Sequence, residues 1–264
     1  MQQNKYAKKL PQSETVSHRL GIITDSYAKP LFKILREKEN QKFIFLENNP
    51  AELAIKLRQK ELDGAFLSPI DYAKDYSMYK IIPEVAAVSR KESNTVNLIF
   101  TRDAHTIKRI GVDPSYASEI VLANIILAEK YEIHAQIVPT TSGISSLGLE
   151  VDAFLACGDI VSRLTDYQNK LDLVDEWYDI TELPFVHGFW VTREDSLTDE
   201  EIGLIIESGK AGYKKMKVSN TNEEHINFNY ILGEEEIKAV GEFFRMAYYH
   251  GILKDIPDIK FIKI

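Results

Sequence analysis

Short apolar runs alternate along this chain with segments whose apolar residues recur every three or four positions, and that alternation sets the architecture. Leu20-Gly21-Ile22-Ile23 reads as a strand that stops at the polar Thr24-Asp25-Ser26-Tyr27, after which Lys29-Pro30-Leu31 opens a helix running through Leu35. Phe43-Ile44-Phe45-Leu46 is a second strand. Asn49-Pro50 then starts a helix with apolar Leu53, Ile55, Leu57 and Leu62, its proline in the first turn, where the missing amide hydrogen costs nothing. Gly64-Ala65-Phe66-Leu67 gives a third strand ending at Ser68-Pro69. Continuous apolar strands interleaved with amphipathic helices predict a parallel sheet covered on both faces.

Two further apolar strands, Ile81 to Val88 and Thr95 to Phe100, flank the charged turn Ser89-Arg90-Lys91-Glu92. The strand–helix pattern then starts again. Arg109 to Val112 runs into Asp113-Pro114-Ser115-Tyr116-Ala117-Ser118 and a helix from Glu119 to Tyr131, and Ala135 to Val138 and Asp152 to Ala156 complete three strands. Phe185 to Val191 leads out of this second unit. From Thr198 the chain is helical, with Thr198 and Glu201 spaced as a capping box and Gly233 opening a last helix that Gly251 stops. The expected fold is therefore α/β, two lobes joined by two crossover strands as in type II periplasmic binding proteins. Residues 1–18 form a loose polar tail, 19–97 with 192–264 the first lobe and 98–191 the second.

Charge and composition narrow the partners. Asp and Glu outnumber Lys and Arg by 40 to 32, for a net charge of −8 and a pI near 5.4, which disfavours nucleic acid and anionic membranes. No run reaches the roughly 18 apolar residues of a membrane span. The single cysteine, Cys157, leaves no intrachain disulfide and no cysteine zinc site. With no apolar leader in the polar first residues, these features predict a cytoplasmic protein with a small-molecule partner.

In open parallel sheets ligands bind beyond the carboxyl ends of strands, where helix N-termini offer amide donors. Thr24 to Tyr27, Ser68 to Asp71, Ser115 to Ser118, and Gly158-Asp159 have that placement. Asp25, Ser26, Ser68, Ser115, Tyr116, Ser118, Gly158 and Asp159 are accordingly candidates to touch the ligand. Ser115 and Ser118 also fit plain helix caps, and Asp25 and Asp159 fit loop solvators. His187, in an apolar strand, fits a core or hinge histidine as well as a ligand contact. No glycine-rich phosphate loop, HExxH, GxSxG or spaced Cys/His set is present.

Several segments resemble one family over nearly all of Leu20 to Ile262: the chorismate dehydratases of the futalosine route to menaquinone, with their relatives that make 1,4-dihydroxy-6-naphthoate. The likeness rests on Lys29-Pro30-Leu31, on Leu62-Asp63-Gly64-Ala65-Phe66-Leu67-Ser68-Pro69-Ile70-Asp71-Tyr72, and on Asp152 to Asp159. Leu183-Pro184-Phe185-Val186 with Trp190, and Phe243 to Ala247 with His250-Gly251, extend it. The resemblance implies a lyase that removes water from chorismate to give 3-[(1-carboxyvinyl)oxy]benzoate, the substrate's own enolpyruvyl carboxylate serving as base. The protein would orient it through an Asn after the first strand and a Ser near the first crossover. Together with the composition, the resemblance leads to the expectation of a small carboxylated molecule held by a monomer or homodimer without metal or organic cofactor. Here Tyr27 stands in the Asn position and Thr95, beside Asn94, in the Ser position. A Ser-Arg-Thr-Ser helix start becomes Ser115-Tyr116-Ala117-Ser118. Tyr27 and Thr95 are thus the expected catalytic pair, with Asn94 among the substrate contacts. A divergent member acting on another cyclic carboxylate, and a non-catalytic cytoplasmic anion-binding protein or sensor, are the alternatives these departures leave open.

Overall fold

A computed structural model describes residues 17–263 apart from 39–41, 92, 102, 142 and 220–226. Residues 1–16 of the expected tail and His225 lie outside that set. The first strand–helix series is β1 (His18–Ile22), α1 (Lys29–Lys38), β2 (Phe43–Glu47), α2 (Pro50–Arg58), β3 (Gly64–Leu67), α3 (Pro69–Lys74) and β4 (Lys80–Ser89). The second is β5 (Val96–Phe100), β6 (Arg109–Val112), α4 (Ala117–Tyr131), β7 (Gln136–Pro139), β8 (Ala153–Cys157), β9 (Lys170–Asp172) and α5 (Leu173–Thr181). The chain returns through β10 (Phe185–Thr192), α6 (Asp199–Ser219), β11 (Phe228–Asn229) and α7 (Glu234–Tyr249).

Two sheets result, a six-stranded one ordered β11-β4-β10-β3-β1-β2 and a five-stranded one ordered β7-β6-β8-β5-β9. Both are mixed. β1 pairs in parallel with β2 and β3, and β6 with β7 and β8, while β10 runs antiparallel to β3 and β4, and β5 antiparallel to β8 and β9. The chain crosses between sheets after β4 and again after α5. Sheet membership departs from the lobe boundaries expected from sequence at three points. His18, placed with the tail, opens β1; Val96 and Asn97, placed in the first lobe, pair with Cys157 and Ala156 in the five-stranded sheet; and residues 185–191, placed in the second lobe, pair along their length in the six-stranded sheet. Hydrogen bonding decides all three, and an apolar pattern cannot say which sheet a strand joins.

Local signals behave as their chemistry requires. Asn49 caps α2 by accepting from the Glu52 amide at 2.9 Å, with Pro50 in the first turn. At the start of α6 the Glu201 amide donates to Thr198 Oγ1 and the Thr198 amide to Glu201 Oε2, a reciprocal pair. Gly251 adopts φ +70° just after α7. On α2, Leu53, Ala54 and Leu57 are buried but Ile55 is 42% exposed, because it falls on the outer face.

One buried core runs through both sheets and the helices that cover them. α1 and α6 meet at Gly212, where a Cβ would lie 1.8 Å from the Pro30 carbonyl oxygen. On an open helix face Gly→Ala stabilises by about 0.5–1 kcal/mol. Here Gly212→Ala is expected to cost ~1–3 kcal/mol by forcing the two helices apart, read as a lower urea midpoint.

Candidate functional site

The loops that follow parallel strands bring the two lobes into contact. After β1 the chain makes a single 3-10 turn, Ser26–Ala28, and after β8 another, Gly158–Arg163. The Ser26 amide and hydroxyl both donate to Asp159 Oδ1, at 2.8 and 2.5 Å. In return the Asp159 amide donates to Asp25 Oδ1 at 3.3 Å, and the Tyr116 hydroxyl lies 3.4 Å from both Asp25 oxygens. Gly158, at φ +67°, is held by its amide to the Thr95 carbonyl at 2.8 Å. Asp25, Ser26, Tyr116, Gly158 and Asp159, expected from separate segments, thus form one inter-lobe cluster.

A second bridge lies beneath it. Ser68 caps α3, its Oγ accepting from the Asp71 amide and donating to Asp71 Oδ2 at 2.8 Å. The next free amide of α3, that of Ile70, donates across the lobes to Ser118 Oγ at 3.0 Å. Ser118 is fully buried inside the first turn of α4. It therefore caps the neighbouring helix rather than its own.

Tyr27, next to Ser26, turns into the core. Its ring is 4% exposed and packs on His187 at 5.1 Å and Phe228 at 5.4 Å, while its carbonyl accepts from the Tyr230 hydroxyl at 2.5 Å. Burial, with the nearby acids Asp25 and Glu119, pushes its phenol well above the usual range and keeps it neutral. Thr95 is buried with its Oγ1 2.9 Å from Ser93 Oγ at the first crossover.

Three expected contacts go elsewhere. Asn94 is exposed, at φ +53°, and serves the crossover turn by donating its amide to Asp172 Oδ2. Ser115 folds back, its amide and hydroxyl donating to Asp113 Oδ1. His187 is a core residue, Nε2 2.7 Å from Ser89 Oγ and the ring packed on Tyr27, Phe185 and Phe228. Burial drops its imidazole to about 3, so it is neutral.

Beside the cluster a cavity of about 720 Å³ opens at the carboxyl ends of β6, β7 and β8. Asp25, Tyr116, Cys157, Asp159 and Arg163 line it, together with Thr140 and Thr141. Glu119 was not anticipated as part of this region. Named in the sequence only as the start of a helix, it is 4% exposed because α4 starts at the lobe interface. Burial, then the charges of Asp71 and Asp25, raise its carboxyl to about 8, against a lowering hydrogen bond from its own amide. Asp25 rises to about 6, from burial and the Asp159 charge. Among the described residues no group of three or more His, Cys, Asp or Glu side chains is placed to hold a metal ion.

These values fix a pH dependence. Folded Glu119 keeps a proton that the unfolded chain releases above about 4.5, so its contribution to stability is lost as pH rises toward 8. His187 acts oppositely, but only below its unfolded value of 6.5. Between pH 6.5 and 8 Glu119 dominates at ~1.4 kcal/mol per pH unit, about 2 kcal/mol in all. Thermal melts should therefore fall across that interval, and Glu119→Gln should flatten them.

Comparison with known proteins adds the family. The family described as menaquinone biosynthesis matches residues 18–249. The chain belongs to that family. As a menaquinone-biosynthesis protein it is similar in structure to protein AF1704 from Archaeoglobus fulgidus, at 18% identity and a TM-score of 0.69, over 89% of this chain and 98% of that one. It is also similar to the periplasmic aliphatic sulphonate binding protein SsuA from Escherichia coli (12% identity, TM-score 0.63, 92% and 95% of the two chains). The alkanesulfonate-binding protein SsuA from Xanthomonas axonopodis pv. citri, bound to MOPS, compares at 14% identity and a TM-score of 0.60, over 94% and 98%. These likenesses show the fold, that of the periplasmic binding proteins. A search of curated proteins finds no match.

Proposed function

We propose that this member of the menaquinone-biosynthesis family holds a small cyclic carboxylate between its lobes, and that it is a carbon–oxygen lyase of the chorismate dehydratase type. One observation carries the reading: the loops after β1 and β3 of one sheet face those after β6 and β8 of the other, with hydroxyls of Ser93 and Thr95 at the crossover. Dehydration in which the substrate's carboxylate takes the ring proton, the ring C–O bond breaks and that proton passes to the departing hydroxyl to leave as water asks the protein for orientation rather than for a base. The buried imidazole of His187 is neutral and packed among aromatic rings, which agrees with a chemistry that uses none. Purified protein mixed with chorismate should release 3-[(1-carboxyvinyl)oxy]benzoate, a loss of one water by mass. Chorismate recovered unchanged at every pH from 6 to 9 would refute the dehydratase assignment.

A second reading, a divergent member for a different cyclic carboxylate, is favoured by Tyr27. Its buried ring stands at the position of the family's Asn, with Asp25 nearby. That leaves less room, and Asp25 adds a negative charge that a dicarboxylate would have to face.

A further inference from the structure

Each sheet has a point where successive connections leave in opposite directions. β1 connects through α1 to β2 on one side while β3 lies on the other, and β6 connects through α4 to β7 while β8 lies on the other. At such points a bound ligand meets backbone amides at loop and helix starts. In this chain the opposite lobe meets them instead. Ser118 takes the Ile70 amide of the first crevice, and Asp25 takes the Asp159 amide of the second.

The Asp25 carboxyl is seated by groups of the other lobe, with burial and the Asp159 charge raising it to about 6. One oxygen receives the Asp159 amide, both lie 3.4 Å from the Tyr116 hydroxyl, and the floor is the bare Cα of Gly158. A Cβ on Gly158 would stand 2.0 Å from Asp25 Oδ1, so any other residue there closes the position. Asp25 is only 7% exposed, although it comes from a loop at the lip of the large cavity. A backbone amide, a phenol and a glycine floor around one carboxylate are what a carboxylate-bearing ligand would need from this wall.

We propose that Asp25 is a built-in carboxylate, contributed by one lobe to an acid-binding position of the other, and that it restricts the ligand to one carboxylate fewer than a chorismate-like dicarboxylate. The inference rests on the second reading above. It makes Asp25 a specificity-determining residue. The ligand then lies in the adjoining cavity, where Arg163 offers a cation for its one acid and Thr140 and Thr141 face its hydroxyls.

Asp25→Gly vacates the position without disturbing Gly158. Formate, compared with chloride at equal ionic strength, should raise the thermal midpoint of Asp25→Gly by several degrees and leave the wild type unchanged. Asp25→Asn keeps the packing, folds independently of the vacated space, and should show no formate response. Chorismate should bind both variants more tightly than the wild type, by tenfold or more for Asp25→Gly and about threefold for Asp25→Asn, in equilibrium titrations that need no turnover. An equal formate response in wild type and Asp25→Gly, or chorismate affinity unchanged in both variants, overturns the proposal and leaves the clamp itself standing. Efficient dehydration of chorismate by the wild type would instead remove the second reading and this inference together.

Discussion

A chain carrying Tyr27→Asn and Tyr116→Arg is expected to dehydrate chorismate about 100-fold faster than the wild type, the scale on which misplacing one orienting group changes rates. Tyr27 packs with His187 and Phe228 in a triangle of mutually touching rings, with its hydroxyl near Asp25, Glu119, Tyr116 and Cys157. Asn there replaces a ring by an amide that can both donate and accept, and empties the space a cyclohexadiene ring would fill. Arg at 116 returns a cation to a wall that now presents a neutral phenol. Part of that charge would be spent on Asp25, which already sits 3.4 Å from the Tyr116 hydroxyl. The triple variant with Asp25→Gly should therefore exceed the double. The cost is structural: losing the buried ring removes about 3 kcal/mol, so melts must accompany the product assay by mass. A folded triple variant that forms no product would show that these positions do not set the activity.

The strand–helix alternation was legible because most strands are short apolar runs bounded by polar or turn residues, and α2, α6 and α7 carry recognisable start signals in Asn49-Pro50, Thr198 with Glu201, and Gly233 with Glu236. Shorter elements were not. α3 is only six residues, and α5 and β9 hide in Asp172-Leu173-Val174, where one aspartate both ends the strand and caps the helix through the Val174 and Asp175 amides. Loops after β1 and β8 could be marked as site-forming, since parallel strands put their carboxyl ends on one edge. What could not be read was who satisfies whom. Ser118 looks like a cap of its own helix and instead caps α3 across the lobes, and Asp25 looks like a solvated loop acid yet is nearly buried. Glu119 has the profile of a surface acid until the lobes pack. Long-range pairing, absent from any local pattern, decides each case.

The chain's two tryptophans should respond differently to loss of their indole nitrogen, and the difference tests how the second crossover is held. Both are fully buried. Trp177, on α5, donates its Nε1 hydrogen to the Pro184 carbonyl at 3.1 Å and meets Phe185 and Phe243 edge-on, joining α5, the crossover, β10 and α7. Trp190, on β10, is edge-on to Phe32 and Phe66, and its Nε1 has no hydrogen-bond partner among the described residues. Trp177→Phe leaves a buried carbonyl without its indole donor, at ~1–3 kcal/mol, on top of the smaller ring's lost packing. Trp190→Phe discards an unsatisfied polar group, which offsets much of that lost packing, and should cost less than about 1.5 kcal/mol. Trp177→Ala should cost ~3–5 kcal/mol and loosen the crossover that fixes the second lobe against α7. Urea denaturation of the three variants checks the order. Equal losses for the two phenylalanine variants would mean that ring packing alone, without the Pro184 hydrogen bond, secures the joint.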